Sequence, residues 1–260
     1  MRLTWMYFKM GIKKALQYRV NFMFFVISVA PIHLIQIVFS WFIAKRFEGL
    51  DSWDGWNLIF LYSILLVSYG IAQVFARRFR YLEEEIISGK LDTYFTKPMP
   101  ILYGLMFQNL SITEMFSQLF PPIIILIVSC FYNSIQWSLI KVLILLGAII
   151  GGAFIQMAMF LLIGSVAFWT TRSNSLEHIF FAFKDFLNYP LHVYGQKVLA
   201  FLTYIFPLAF VNYYPALYIL GKADAGSILC FMTVPVAMIL SGIAFMVWRV
   251  AVDHYNSTGS

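Results

Sequence analysis

The chain has 260 residues, of which 61% are hydrophobic and only 12% are charged, and its net charge is +6. A soluble domain of this length would be about one-quarter charged, so the composition excludes an ordinary soluble protein and predicts an all-α integral membrane protein. Basic residues in a membrane protein first report its orientation, so the positive charge does not indicate a nucleic-acid partner.

The first predicted element is an amphipathic helix over residues 1–19. Aromatic and apolar residues recur there at helical spacing on one side, and Arg2, Lys9 and Lys13 lie on the other side. This pattern is typical of a helix that lies in the membrane interface. We expect it to open a single transmembrane domain that occupies residues 1–260.

Five further apolar stretches are long enough to cross a hydrocarbon core of about 30 Å. They are residues 20–44 with Pro31 inside, 57–76, 101–131 interrupted by Glu114 and Pro121-Pro122, 138–169 and 227–248. Glycines four apart in the 138–169 stretch, Gly147 and Gly151, predict a close packing face, either within the chain or in a dimer.

Residues 175–226 are ambiguous because they hold two apolar pieces, the first of which carries Lys184 and Asp185. The chain has seven crossings if both pieces span the membrane, and six if they make one net crossing. With a cytoplasmic N-terminus and six spans, twelve of the eighteen basic residues lie inside and five outside. This distribution obeys the positive-inside rule, so we predict six spans and two cytoplasmic termini.

A short charged segment follows the second predicted span. Residues 77–97, here called the charged segment, hold nine of the thirty charged residues of the chain. The order of residues predicts a basic helix end, an acidic helical turn, a break at Gly89 and a second short helix ended by Pro98. Its mixture of charged and apolar side chains suits either a surface that docks on a soluble protein or a solvated loop that fixes topology.

The charged segment also carries a family resemblance. Gly89-x-Leu91-Asp92 followed by Lys97-Pro98 resembles the loop between the second and third helices of type-2 ATP-binding-cassette (ABC) exporter permeases. The N-terminal amphipathic helix is similar to the interfacial elbow of that family, and six spans match its half-transporter. The stretch from Tyr189-Pro190 to Gly221 resembles its connector before the last helix.

The resemblance implies a fold of six transmembrane helices with three additions. These are the interfacial helix at 1–19, a cytoplasmic coupling loop at 77–100 and a re-entrant outer connector at 195–226. Residues 175–194 then form the fifth span, which is more polar and shorter than the family pattern. The implied location is the plasma membrane, as in a bacterial inner membrane.

The chain has no GxxxxGK[ST] phosphate loop, so a transporter of this kind needs a separate ATPase subunit. The resemblance implies an ATPase dimer that holds ATP and Mg, a second permease half that is identical or related, and surrounding lipid. No catalytic, cofactor or metal residue is predicted, and the chain itself is not expected to be an enzyme. The candidate ATPase-coupling residues are Arg78, Arg80, Glu83, Glu84, Glu85, Gly89, Lys90, Leu91, Asp92 and Phe95.

Ionisable residues inside predicted spans are costly and merit a functional hypothesis. Glu114 is a candidate for the transport path or gate, together with four residues of the connector: Pro207, Phe210, Tyr213 and Pro215. We expect Lys184 and Asp185 to form structural ion pairs with other helices. The alternative function is a channel or secondary transporter gated through Glu114, Lys184 and Asp185. The many aromatic residues favour an amphipathic or lipid-like substrate.

Overall fold

The fold is known from a computed structural model, which describes residues 13, 17, 19–46, 53–108, 110, 112–170, 172–223 and 227–255. Every regular element in these ranges is helical, in agreement with the predicted all-α class. The predicted interfacial helix at 1–19 lies almost wholly outside the described residues, so it stays a prediction.

The helices fall into long and short ones. The long helices are α1 (Arg19–Arg46), α2 (Gly55–Arg80), α6 (Ile112–Tyr132), α7 (Leu139–Thr170) and α11 (Thr233–Asp253). The shorter helices are α3 (Leu82–Ile87), α4 (Asp92–Phe95), α5 (Ile101–Phe107), α8 (Asn174–Asp185), α9 (Gln196–Ala200) and α10 (Tyr213–Ile219).

Four helical stretches of the described chain are long and apolar enough to cross a membrane. They are Gly55–Ile87, Thr113–Tyr132, Leu139–Thr170 and Thr233–Asp253. They correspond to the second, third, fourth and last predicted spans. Helix α1 covers the first predicted span. Its 28 residues correspond to a length of about 42 Å, at about 1.5 Å per residue.

The predicted extent of the third span, residues 101–131, is wrong. Its first part is the separate helix α5, and α6 then runs through Pro121 and Pro122 without a break. Helix α5 is held against the charged segment: the Lys97 ammonium donates a 2.7 Å hydrogen bond to Oε1 of Gln108, just after the helix ends. Glu114 therefore lies in the first turn of α6, at one end of the bundle.

The predicted fifth span, residues 175–194, also differs from expectation. Helix α8 has 12 residues, or about 18 Å, and is followed by the 3₁₀ turn Phe186–Asn188. It ends early because Pro190 cannot continue a helix, and it is not among the candidate spans. The six-span count stays a prediction.

The connector is sharply bent. Gln196–Ile205 and Leu208–Ile219 meet at 88°, with Pro207 between them. Together they form either one broken span or a re-entrant loop, and the second of these agrees with the predicted connector at 195–226. Asn212, which is fully buried, donates from Nδ2 to the carbonyl oxygens of Leu61 (3.1 Å) and Leu187 (2.8 Å). This side chain ties the connector to α2.

Helix α2 is the central helix and the most buried of the candidate spans. Its neighbours approach it closely where they carry glycine. A Cβ atom on Gly164 of α7 would collide with the carbonyl oxygen of Phe79, and one on Gly152 would lie 3.2 Å from Ser68. A Cβ on Gly151 would lie 2.9 Å from Thr233 of α11. The glycines of α7 therefore serve packing inside the chain.

The two ends of the bundle differ in chemistry. At one end, here called the aromatic end, Trp56 stacks on Tyr132 at 4.1 Å and Asn133 donates a 2.9 Å hydrogen bond to the Trp56 carbonyl. The other end, here called the charged end, holds the charged segment, α5 and the first turns of α6 and α8. Helix α2 connects the two ends. Asp54 caps its start at the aromatic end, and Arg77, Arg78 and Arg80 lie in its last turn at the charged end.

Candidate coupling site at the charged end

The charged segment folds as its residue order predicts. Helix α2 ends at Arg80, α3 carries the acidic turn, and α4 follows after a break. Gly89 has a φ of +68°, a left-handed conformation that glycine adopts without strain and other residues rarely do. The Leu91 N–H then donates to the Glu85 carbonyl at 3.1 Å, which folds the segment back on itself.

Apolar side chains anchor the segment to the bundle. Leu82 and Leu91 are fully buried, and Ile86 and Tyr94 are nearly so. Leu91, a predicted contact for an ATPase, therefore packs inside its own chain. Burial of this kind fixes the position of α3 and α4 relative to α7 and α5.

Arg80 ties the end of α2 to α8. Its Nε donates a 2.8 Å hydrogen bond to Oε1 of Glu177, and a second nitrogen of the same guanidinium donates to the same oxygen. Both side chains are about 16% exposed, and the guanidinium also lies 4.7 Å from the ring centre of Phe181. A pair that is mostly shielded from water and stacked on an aromatic ring holds its geometry better than a surface pair.

Two acidic residues of α3 are also bound internally. The Glu83 carboxylate accepts hydrogen bonds from the backbone N–H groups of Ser173 and Asn174, the latter at 2.8 Å. These groups open α8, so Glu83 caps that helix from a distant part of the chain. Glu85 is 3% exposed and forms an ion pair with Arg78.

Tyr255, two residues after the last helix, completes the anchoring. Tyr255 donates a 2.8 Å hydrogen bond to Oδ1 of Asp92, and its ring stacks on Phe95 at 5.2 Å with an interplanar angle of 9°. Burial, and then the hydrogen bond and charge of Asp92, raise the pKa of the Tyr255 hydroxyl to about 12. Phe168 at the end of α7 meets the same ring edge-on.

The predicted coupling residues thus divide into two groups. Arg78, Arg80, Glu83, Glu85, Leu91 and Asp92 make contacts within the chain, whereas Glu84, Lys90 and one side of Phe95 face outward. Ile87, 60% exposed, lies beside them. The sequence did not predict Glu177, Ser173 or Tyr255 as partners, because each lies 90 or more residues away and no local pattern pairs them.

The candidate path residues do not come together. Glu114 pairs with Arg77 at the charged end, where both line a cavity of 280 Å³. Phe210, Tyr213 and Pro215 are buried in the core near α10, and Pro207 occupies the bend of the connector.

Among the residues that the structure describes, Lys184 does not form the expected ion pair. The Lys184 ammonium lies 4.4 Å above the Tyr69 ring, and the neighbouring Asp185 is exposed. An aromatic face can take the place of a carboxylate as the partner of an ammonium group. Glu114 and Lys184, two of the side chains proposed to gate a channel or secondary transporter, thus contact different partners, Arg77 and the ring of Tyr69.

Comparison with known families decides the class of protein. A model of the ABC-2 family transporter proteins matches residues 24–259. The chain belongs to this family. No curated protein and no solved structure matches it. An ABC-2 protein is a membrane permease subunit of an ABC transporter, so the predicted resemblance is confirmed.

Proposed function

We propose that this permease is the membrane half of an ABC exporter and that a separate ATPase subunit, holding ATP and Mg, docks on the charged segment. One observation carries the proposal. The segment presents exposed Glu84, Ile87 and Lys90 on a short helical unit whose other side is fixed to the bundle. A solvated loop that only fixes the topology would not need to be held against the bundle in this way.

The proposed topology has six spans with both termini in the cytoplasm of the cell that makes the protein. The distribution of basic residues supports it, with twelve of eighteen on the cytoplasmic side. The stretch Gly55–Ile87 has 33 residues, about 50 Å as a helix, so its charged end extends beyond a hydrocarbon core of about 30 Å. On this topology the exposed part of α3 lies in the cytoplasm.

The internal contacts supply a route for mechanical coupling. A push on α3 reaches α8 through Glu83, and the end of α2 is tied to the same helix through Arg80. A push on α4 reaches the chain just after α11 through the bond between Asp92 and Tyr255. Because these contacts connect distant parts of the chain, closure of two ATPases would move several helices together. In the proposed transporter, a second permease half, identical or related, completes the translocation path.

The substrate we propose is amphipathic or lipid-like. Large apolar side chains cover the faces of α1, α6, α7 and α11 that are turned outward in the single chain. Such surfaces suit contact with lipid or with a second permease half, and a path between them would suit a molecule with an apolar part. Stimulation of ATPase activity by candidate lipids in the purified complex tests this point.

Co-purification tests the docking. The tagged full chain is purified from membranes of its own cells, and bound ATP-binding-cassette protein is quantified. Ile87→Glu and Glu84→Lys should each reduce the bound ATPase about tenfold, because they place a charge in an apolar contact or reverse a complementary one. Glu85 is not a useful target for this test, since its reversal would break a buried ion pair.

Lys197→Glu is the matched control. Lys197 is exposed on the connector, away from the charged segment, so its reversal should leave the bound ATPase unchanged. If Ile87→Glu and Glu84→Lys retain as much ATPase as Lys197→Glu does, the charged segment is not the docking site.

A further inference from the structure

A groove of about 300 Å³ opens on the surface between the start of α7 and the start of α11. One wall contains Ile140, Leu143 and Gly147 of α7, and the other contains Phe231 and Val234. Both helices end at the charged end, where the rings of Phe168 and Tyr255 meet, so the groove lies toward the aromatic end. It is therefore separate from the candidate coupling site.

A ligand can reach the apolar side chains of this groove. None of the lining residues is charged, and four of them are each about half exposed: Ile140, Leu143, Phe231 and Val234. The hydroxyl of Thr233, which also lines the groove, already donates a 2.9 Å hydrogen bond to the Phe210 carbonyl. The groove therefore offers apolar contact, which suits a hydrocarbon chain.

Gly147 leaves the space of the groove open. A Cβ atom on Gly147 would meet one described atom within 4 Å, Cγ2 of Val234 at 3.3 Å. At Gly151, by contrast, a Cβ atom would lie 2.9 Å from Thr233. Gly151 thus serves close packing, whereas a larger side chain at position 147 would fill the groove.

The connector holds the far wall of the groove in place. The ring of Phe231 lies 5.1 Å from the ring of Tyr218, just after the start of the last turn of α10, and meets it edge-on. The bond from Thr233 to the Phe210 carbonyl adds a second tie. Because the wall is fixed in this way, a ligand would bind without ordering the chain first. A bound ligand would in turn brace the connector against α7.

A positive charge lies beside the groove. Lys141 follows Ile140 and precedes Ile144 by about one turn of α7, and its ammonium makes no hydrogen bond or ion pair with the residues that the structure describes. A lysine stem can lie along an apolar surface while its ammonium stays in the head-group region. Trp137, exposed just before α7, is a residue type typical of that region.

None of the described acidic side chains pairs with Lys141. The other charged residues described toward this end lie on other elements: Lys45 and Arg46 at the end of α1, Asp54 before α2, Asp185 at the end of α8, and Lys197 and Lys222 in the connector. Three of these cations lie over aromatic rings: Lys45, Arg46 and Lys222. An anionic group beside the groove would therefore complement the charge of Lys141.

We propose that the groove holds one acyl chain of an anionic phospholipid whose phosphate faces the Lys141 ammonium. A phospholipid matches both features, because its acyl chain is apolar and its head group lies at the level of the membrane interface. On the proposed topology this lipid belongs to the outer leaflet. Only that assignment rests on the proposed function, since binding itself requires neither the topology nor an ATPase.

Native mass spectrometry of the purified full chain in detergent measures the binding. The probes are phosphatidylglycerol and phosphatidylcholine with identical acyl chains, each added over a range of concentrations. We expect phosphatidylglycerol to bind about threefold more tightly, a ratio that one exposed ion pair can supply. Equal binding of the two lipids would overturn the assignment of an anionic head group.

Two variants assign the binding to this groove. Gly147→Leu fills the groove and should weaken both lipids about tenfold, because about two methylene groups of the acyl chain lose their contacts. Gly242→Leu is the matched control, since Gly242 does not line the groove and a Cβ atom there meets nothing within 4 Å. Lys141→Gln should abolish the preference for phosphatidylglycerol, whereas Lys197→Gln should keep it.

Leu143→Ala keeps the test decisive if Gly147→Leu does not fold. Leu143 is exposed, so its truncation should be tolerated, and the loss of part of one wall should weaken both lipids several-fold. Leu139→Ala, one turn earlier at an exposed position outside the groove, is its control. Lipid binding that is as tight in the groove variants as in their controls would contradict the proposal.

The same spectra count the copies of the chain in each complex. If Gly147→Leu lowers the fraction of dimer and leaves lipid binding unchanged, a second copy occupies the groove and the proposal is wrong. Ile87 does not line the groove, so Ile87→Glu should lose the ATPase while keeping the lipid preference. Docking of the ATPase and binding of the lipid can therefore fail separately.

Discussion

The Tyr255 hydroxyl donates a 2.8 Å hydrogen bond to Oδ1 of Asp92, across 163 positions of sequence. This bond joins the chain just after the last helix to the charged segment, and the stacking of Tyr255 on Phe95 reinforces it. Because Tyr255 follows α11 by two residues, a displacement of α4 is transmitted to the end of α11. The contact therefore stabilises the charged end and also transmits movement through it.

Tyr255→Phe removes the hydroxyl and keeps the ring stacked on Phe95. We expect a loss of about 1 kcal/mol in the free energy of unfolding, which is the usual contribution of one hydrogen bond. Thermal unfolding in detergent, followed with a dye that becomes fluorescent on reaction with Cys130 and Cys230, measures the change. Phe95→Leu is the complementary variant, because it weakens the stacking and leaves the hydrogen bond to Asp92 in place.

The pH dependence of this contact follows from the pKa of about 12 for the Tyr255 hydroxyl. A folded pKa above the ordinary value of about 10 means that the stabilisation is fully present below pH 10 and is lost as pH rises toward 12. The difference in melting temperature between wild type and Tyr255→Phe should therefore not change through Tyr255 ionisation between pH 6 and pH 9. A difference that disappears already near pH 8 would contradict a raised tyrosine pKa.

Glu83→Ala removes the acceptor that caps α8 and should cost about 1 kcal/mol, as the loss of other N-terminal caps does. The loss should be local. Hydrogen exchange of the first turn of α8, at Ser173 and Asn174, should accelerate more than that of the α2 core. Glu84→Ala is the matched control, because it removes the carboxylate next to Glu83, which is exposed and does not reach α8. Equal exchange rates in the two variants would show that Glu83 does not cap this helix.

Much of the fold follows from composition and periodicity. Apolar stretches of about 20 residues specify helices by themselves, because lipid forces every backbone polar group to be satisfied within the segment. The second and fourth predicted spans and the last one therefore appear with small changes of boundary. The break between α5 and α6 was not predicted. Helix α5 lies against Tyr94 and is bonded to Lys97 at its end, and these contacts with the charged segment are not visible in the pattern of apolar residues. Proline, the expected interruption, is tolerated inside α6.

The position of the candidate site was predictable from the sequence, but which of its charged residues face outward was not. A cluster of charge after the second span, with a glycine break, was visible in the sequence and marked the charged end. Which charges face outward depends on residues that lie far along the chain, such as Glu177 for Arg80 and Tyr255 for Asp92. Local sequence patterns do not encode such pairs, so the exposed set containing Glu84 and Lys90 emerges only from the folded chain.

Asn212→Asp tests whether the connector is pinned to α2. The Nδ2 group of Asn212 donates to two carbonyl oxygens, and an aspartate would place an oxygen against both. We expect Asn212→Asp to lose about 3 kcal/mol or to fail to fold, and Asn212→Ala to lose less, because alanine removes the donor without adding a buried charge. Gln196→Glu makes the same chemical change at an exposed position and should have little effect. Losses for both the alanine and the aspartate variants as small as that of Gln196→Glu would show that the Nδ2 contacts do not determine the connector's position.

Gly164→Ala and Gly242→Ala form a pair of identical changes in two membrane helices with opposite expected signs. A Cβ atom on Gly164 would collide with the carbonyl oxygen of Phe79, whereas one on Gly242 meets no atom within 4 Å. Gly164→Ala must push α7 away from α2 and should cost about 3 kcal/mol, the upper range for overpacking.

Gly242→Ala keeps all its contacts and should gain up to about 1 kcal/mol from the higher helix propensity of alanine. The thiol-reactive dye reports both melting temperatures, since Cys130 and Cys230 are common to the two variants. If the two melting temperatures shift by the same amount in the same direction, α7 does not approach α2 closely at Gly164. The expected difference between the two variants rests on that approach.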